Sequence, residues 1–502
     1  MPGSRAPLAS RWFVGVALLA AAYWMVDLVL LRAGVPHPLD DTWEDGVVAR
    51  LLLEGEWFRS HTIYPPLWEL RDPRTLSVPV LVHGPLMPAL LALPIRMAGT
   101  GAIDHAAWLG AIFALLTLAP LFRLAARHFG EPVAAAAALL HTLSPLTVAA
   151  VNHYPSMLVG AFLLAASLDL LAREEPRARL AGITAGLGYL VRPEMLLAAP
   201  VLAFLAAGGR IRSRAPWEFL GVFAACGSWW WWHHGRVTGA PFFNLSSYLL
   251  VMFSPAHPGD ALVRDFAATP DRFPTILAQS LPRLDEKWAY FFPRAVKRVL
   301  TTPTGATGWL VPVGVVVALL RRETRRFAAA ALLLAAIPIA AMTLLTSIRL
   351  YPVPFLALYG IGAGLGAKFL FERLPHWAHR PRAWIGALAM VTVPSAVMAL
   401  RFEFDEARAI ERWLANDRAG LAAVVRTSEN ARRPMFSDTP DFVAWTTGRP
   451  TLWLMREEYE RVFARGARVP PGLPSRPEPA DTWFHRGNPR DPHDQRGGPL
   501  TE

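Results

Sequence analysis

Apolar runs long enough to cross a membrane alternate along this chain with short knots of arginine. The first run spans Trp12 to Leu31. Others cover roughly 105–122, 131–150, 155–172, 179–191, 194–209, 216–234, 305–320, 327–346, 350–371 and 383–400. About 20 apolar residues cross a bilayer, and somewhat shorter helices are tolerated. The pattern predicts an all-α polytopic membrane protein with about eleven transmembrane helices. The stretch from Val80 to Met97 is also apolar, but Pro79, Pro85, Pro88 and Pro94 suit an interfacial or re-entrant piece better than a spanning helix.

The basic knots set the parity of the crossings. They are Arg123/Arg127, Arg173/Arg177/Arg179, Arg210/Arg212/Arg214, Arg321/Arg322/Arg325/Arg326 and Lys368/Arg373/Arg380/Arg382. Basic loops stay on the cytoplasmic side, so an even number of spans separates any two knots. Val80–Met97 then does not cross, the N-terminus is inside and the C-terminus outside. Three segments fall on the outer side: residues 32–104, residues 235–304 and the stretch from about 401 onward. The expected organisation is a membrane domain over 1–400, a small outer α/β segment over 401–468 and a disordered tail over 469–502.

Composition agrees with this pattern. The 502 residues are 53% apolar and 18% charged, against about 25% charged for a soluble protein. The net charge of +11 lies mostly in the knots and reads as an orientation signal. No soluble segment interleaves a basic patch with aromatics, which argues against nucleic-acid binding. The single cysteine, Cys226, lies in an apolar run, so no intramolecular disulfide forms. The first apolar run exceeds a signal-peptide core and lacks a small-residue cleavage site before Arg32; it reads as an uncleaved anchor.

The chemistry concentrates in the first outer segment. HPLDDTWEDGVVAR places Asp40, Asp41, Glu44 and Asp45 just past the first span. Asp41 and Asp45 are four apart, as are Asp40 and Glu44, so on a helix each pair shares a face. Acids in a helix first turn are also favoured by the macrodipole alone, and spacing does not choose between capping and chemistry. Farther along, Arg192 and Glu194 in GYLVRPEMLL and Arg349 beside Tyr351 in SIRLYPVPF fall near the outer ends of spans. Two arginines there can bind a phosphate by charge-assisted bonds, or each can snorkel to lipid headgroups. Trp229–Trp232 reads as an interfacial belt, and the adjacent His233 and His234 make a poor ligand pair. Gly360, Gly362, Gly364 and Gly366 lack the strand that a nucleotide loop needs and read as close helix packing. Asn244-Leu245-Ser246 matches a glycosylation sequon, a pattern that is frequent by chance. In the tail, FDEARAIERWLAND reads as an amphipathic helix, followed by strand, helix and strand in PMFSD, TPDFVAWTTGR and TLWL.

Together these features resemble the GT-C superfamily of membrane glycosyltransferases, in particular its aminoarabinose-transferase and protein-mannosyltransferase-like branch. That family carries an Asp-Glu pair after the first span, then an aromatic, an alanine and often an arginine. Asp41, Asp45, Ala49 and Arg50 fall at the corresponding spacing, with Thr42 in place of the Glu and Asp45 in place of the aromatic. A Lys/His-Pro-Pro-Leu element follows in the family; here it reads His83-Gly84-Pro85-Leu86. FRLAARHFG, HTLSPL, GLGYLVRPE, SIRLYPVPFLALYG and SDTPDFVAWTTGRP also look familial, so the likeness covers most of residues 10–455.

The resemblance implies a GT-C fold in a bacterial inner membrane, with a periplasmic C-terminus. It implies inverting transfer of a sugar from a polyprenyl-phosphate donor to an acceptor hydroxyl or amine of a lipid, glycan or protein. Asp41 would act as base, tuned by Asp40, Glu44 and Asp45. Arg349, Tyr351, Arg192 and His83 would bind the donor phosphate. Many relatives carry a second outer acid where this chain reads VNHYPSMLVG, so a divalent metal is left without support and no metal ligands are assigned. The rival expectations are a non-catalytic GT-C-like partner and a lipid or solute transporter; no internal repeat of the transporter kind is visible.

Overall fold

The computed structural model describes residues 10–31, 40–99, 106–208, 212–254, 256–257, 259, 261–303, 305–345, 350–374, 380–401, 433–437, 440–454, 456–463, 469–471, 473 and 482–483. Helix α1 (Arg11–Met25) starts at Ser10, whose hydroxyl accepts from the Trp12 amide, and runs into a π turn, Val26–Leu31. Helices α2 (Asp40–Leu53) and α3 (Leu86–Ala98) pack on each other. The 13 residues of α3 extend about 20 Å, short of the roughly 30 Å of a hydrocarbon core.

The bundle continues with α4 (Ala106–Phe129), α5 (Glu131–Thr142), α6 (Pro145–His153), α7 (Pro155–Leu171), α8 (Ala178–Val191), α9 (Met195–Ala206) and α10 (Arg214–Thr238). A bend of 49° separates α5 from α6. It falls where Ser144 accepts from the Leu146 amide and Pro145 opens the next helix, so one apolar run becomes two helices. Two arginine knots meet at one end of the bundle. The fully buried Asp169 of α7 binds Arg123 at 2.9 Å, Arg127 at 3.2 Å and Arg173 at 3.6 Å.

After the second outer segment, with α11 (Phe273–Ser280) and α12 (Leu284–Thr301), come α13 (Leu310–Leu320), α14 (Arg325–Leu344), α15 (Leu356–Phe371) and α16 (Pro381–Arg401). The glycine run lies in α15 and packs α13 tightly. A Cβ on Gly314 would lie 1.9 Å from the carbonyl oxygen of Gly362, so only glycine permits this crossing. Five described helices are long and apolar enough to cross a membrane, six if α5 and α6 form one bent span. Further apolar helices, α7, α8, α9 and α13 among them, run 10–17 residues. The molecule is an integral membrane protein; the expected count of eleven exceeds the helices of full spanning length.

The segments outside the helical bundle are held together by small sheets. Strands β1 (Arg59–Ser60) and β3 (Val78–Pro79) pair antiparallel. Strands β2 (Thr62–Ile63), β4 (Met435–Ser437), β5 (Thr451–Trp453) and β6 (Thr482–Trp483) form a parallel sheet ordered β2-β5-β4-β6. The segment after α2 thus supplies an edge strand to the C-terminal sheet. Helix α17 (Pro440–Thr447) joins β4 to β5, and α18 (Arg456–Val462) follows. The buried residues Ile63, Leu67, Leu245, Tyr248, Phe436 and Leu452 merge three distant segments of the chain into one core. The amphipathic stretch expected at 404–417 lies outside the described residues, whereas Thr482–Trp483, inside the stretch expected to be disordered, pair with β4.

Candidate functional site

Helix α2 begins at Asp40, so its acids occupy the N-terminal turns. The side chains of Asp40 and Asp41 lie outside the described residues. Thr42, Glu44 and Asp45 are buried at 2–3% exposure. Burial of two acids argues for more than helix capping, because a buried carboxylate is costly unless it is paired. Thr42 stands where the family pattern has Glu, and its hydroxyl donates to the carbonyl of His153 at 3.1 Å. It ties α2 to the end of α6. Asn152 beside it donates to the Val148 carbonyl at 2.7 Å.

The far side of α2 is clamped by α17. Trp43 packs on Phe442 with ring centroids 4.9 Å apart. Arg50 donates to the carbonyls of Trp445 at 3.0 Å and Ala444 at 3.1 Å, satisfying oxygens at the C-terminal end of α17. The C-terminal segment therefore fixes the helix that carries the acids.

Glu44 makes two contacts. It accepts from the Tyr64 hydroxyl at 3.0 Å and meets Nε2 of His83 at 3.2 Å. The position of His83 follows from its neighbour. A Cβ on Gly84 would lie 2.0 Å from the Leu190 carbonyl oxygen, so the segment presses against the end of α8 where a bulkier residue would not fit. This accounts for glycine in place of the family's first proline.

Two residues beyond Leu190, Arg192 leaves α8, and Pro193 stops the helix. Arg192 binds Glu194 through two parallel bonds, Nη2 to Oε1 at 2.8 Å and Nε to Oε2 at 3.3 Å. Burial penalises a lone carboxylate, and the paired guanidinium of Arg192 offsets that cost, with His83 as a further nearby charge partner. Arg192, Glu194 and Tyr351 line one cavity together with Met157, Met195, Pro354 and Phe355, about 10 Å³ in volume and so roughly the size of one water.

Of the four residues expected to hold a donor phosphate, Arg192 and Tyr351 share this cavity, and His83 reaches it electrostatically through Glu194. Arg349 lies outside the described residues. Glu44, expected among the acids around Asp41, contacts His83 and Tyr64. Tyr64 was not singled out from the sequence; its signal would have been an aromatic between a strand and Pro65-Pro66, which many proteins carry. Asp27 was missed as well. It is a carboxylate inside the first apolar run, buried at 1% in the π turn, and both features often accompany function. Among the described residues, no three His, Cys, Asp or Glu side chains come together as metal ligands. His234 Nδ1 binds the Phe243 carbonyl and His233 stacks on Trp230 at 4.9 Å, so both histidines pack within the outer layer.

Residues 82–232 match the family model described as dolichyl-phosphate-mannose-protein mannosyltransferase. No curated protein matches the chain in sequence. Among solved structures, the oligosaccharyltransferase of Archaeoglobus fulgidus in its apo form aligns at 14% identity and a TM-score of 0.57, over 89% of this chain and 65% of its own. The same enzyme, AglB, in complex with an inhibitory peptide and a dolichol-phosphate aligns at 14% identity and a TM-score of 0.53, over 88% and 64%. ArnT from Cupriavidus metallidurans bound to undecaprenyl phosphate aligns at 14% identity and a TM-score of 0.53, over 89% and 86%. The chain thus spans less than two thirds of the archaeal oligosaccharyltransferases and most of ArnT. The chain thus shares the GT-C fold of these enzymes over nearly its whole length, and residues 82–232 carry the pattern of the mannosyltransferase family.

Proposed function

We propose that the protein is a glycosyltransferase that moves a sugar from a polyprenyl-phosphate donor to an acceptor hydroxyl or amine at the outer face of a bacterial inner membrane. One observation carries this reading. Arg192, Tyr351 and His83, from three distant segments, converge beside the acidic helix α2. The undecaprenyl phosphate bound to ArnT and the dolichol-phosphate bound to AglB support it.

In the proposed reaction Asp41 takes the proton of the acceptor hydroxyl as its oxygen attacks the anomeric carbon. The bond from that carbon to the phosphate oxygen breaks on the opposite face, inverting the centre. The electron pair leaves with the polyprenyl phosphate. Arg192, Arg349 and His83 stabilise its charge, and Tyr351 donates to it. An ordinary carboxylate is a weak base, so Asp41 acts late in the transfer, with Asp40 and Asp45 raising its proton affinity by like-charge repulsion. Glu44 keeps the imidazole of His83 oriented and favours its charged form.

A second reading, a GT-C-like protein without activity, draws on Thr42. The hydroxyl at this position of the acidic pair is engaged in packing rather than in chemistry. The two readings separate in one assay. Purified protein is given polyprenyl-phosphate-linked sugars with a lipid, glycan or peptide acceptor, and release of polyprenyl phosphate is measured. Acceptor-dependent release supports the transferase; none across sugars and acceptors supports the inactive partner.

A further inference from the structure

Helix α12 joins the outer layer to the membrane bundle. Leu284 at its start belongs to the outer core. Ala295 and Val299 near its end belong to the bundle core, and the helix packs on α14. Three of its other large apolar residues stay exposed. Trp288, Phe292 and Leu300 are 37%, 55% and 40% exposed. With the half-buried Val296 they recur every four residues and form one stripe. Lys297 flanks the stripe, with Arg294 on the polar side stacked on Tyr290. An apolar stripe bordered by cations, on a helix that descends into the bundle of a membrane protein, matches a bilayer surface with its phosphates above and chains below.

The same helix is wired to the donor site. Lys287 is buried at 2% exposure, and its ammonium donates to the carbonyls of Leu249 and Leu250 at the end of the 3-10 turn Leu245–Leu250. That turn is capped by Asn244, whose side chain accepts from the Ser246 amide and donates to the Val82 carbonyl at 2.9 Å. The Leu245 amide donates to the Leu81 carbonyl at 2.8 Å. These bonds end one residue before His83.

We infer that α12 is seated in the headgroup zone of the outer leaflet, and that Lys287 and Asn244 are positioning residues that carry this seat to His83. Seating of the helix fixes the 3-10 turn, which fixes Leu81–Val82 and thereby the imidazole beside Glu44. The positioning half rests on the proposed transferase; the seat itself does not.

The test uses the full chain with Cys226→Ala, in nanodiscs of phosphatidylethanolamine and phosphatidylglycerol. A fluorophore is placed at Phe292→Cys, at Leu300→Cys or, as an outer-layer control, at Glu69→Cys. Lipids carry a nitroxide near the headgroup or at the chain end. The expected result is strong quenching at 292 and 300 by the shallow nitroxide, weaker quenching by the deep one, and little at 69. No quenching at 292, or stronger quenching by the deep nitroxide, overturns the seat. In the transfer assay, Lys287→Met and Asn244→Ala are expected to raise the donor KM roughly threefold to tenfold with kcat largely retained. An unchanged donor KM in both variants overturns the positioning role. If the parent protein shows no transfer, the proposed function fails while the quenching result stands.

Discussion

The imidazole of His83 meets the carboxylate of Glu44 at 3.2 Å, and this contact joins the acidic helix α2 to the expected phosphate site. Both side chains are largely buried, at 15% and 4% exposure, so the pair is little screened by solvent. Glu44→Gln removes the carboxylate that holds the His83 ring by this contact. Donor KM is expected to rise about tenfold, or about 1.4 kcal/mol, with a smaller change in kcat. Steady-state kinetics with the lipid-linked donor checks this.

Arg192 and Glu194 form the second charged pair of the site. Glu194→Gln leaves the guanidinium without its bidentate partner in a buried setting. A loss of about 3 kcal/mol is expected, seen as a lower thermal midpoint. Replacing both, as Arg192→Met with Glu194→Met, is expected to restore much of that stability while abolishing donor binding. A double-mutant cycle measures the coupling.

Arg50 links the motif after the acids to the C-terminal segment. Arg50→Met removes two hydrogen bonds to the end of α17 and is expected to cost about 1–3 kcal/mol. Arg50→Lys, which keeps the charge but not the fork, is expected to recover only part. Limited proteolysis of the segment after residue 433 reports whether it stays docked.

Burial pushes the Lys287 ammonium down to about 7 from its usual 10.5. The unfolded chain therefore binds more protons than the folded one between those values. Stability of the α12 contact then rises with pH from about 7 towards 10.5, and the full penalty of burying the charge is present below 7. The carbonyls of Leu249 and Leu250 offset part of that penalty. Hydrogen exchange in the 3-10 turn at pH values on either side of 7 is expected to show stronger protection on the alkaline side, and Lys287→Met is expected to erase the difference.

Much of this architecture was readable as pattern. The helical runs, the glycine packing of α13 and α15, and the strand-helix-strand of the tail follow from period, length and turn residues. The partners of buried polar groups were not readable. Lys287 follows Asp285 and Glu286 and reads as a solvated charge, since its burial depends on a turn some forty residues earlier. Glu44 reads as one acid among four, because only folding brings Tyr64 and His83 to it. Asp27 hides inside an apolar run because a single charge scarcely changes the mean over twenty residues. The contribution of β2 to a sheet with residues 435–483 is a non-local pairing with no sequence signal of its own.

The central claim is that Asp41 is the base of a transfer from a polyprenyl-phosphate sugar. Asp41→Asn keeps the shape of the side chain and removes its basicity. The measurement is single-turnover release of polyprenyl phosphate from the preloaded donor, with donor affinity determined on the same preparation. The account predicts donor binding within about twofold of the parent protein and release slowed roughly 100-fold or more, the usual weight of general-base catalysis. Release in the variant at the parent rate, with the acceptor present and saturating, contradicts it.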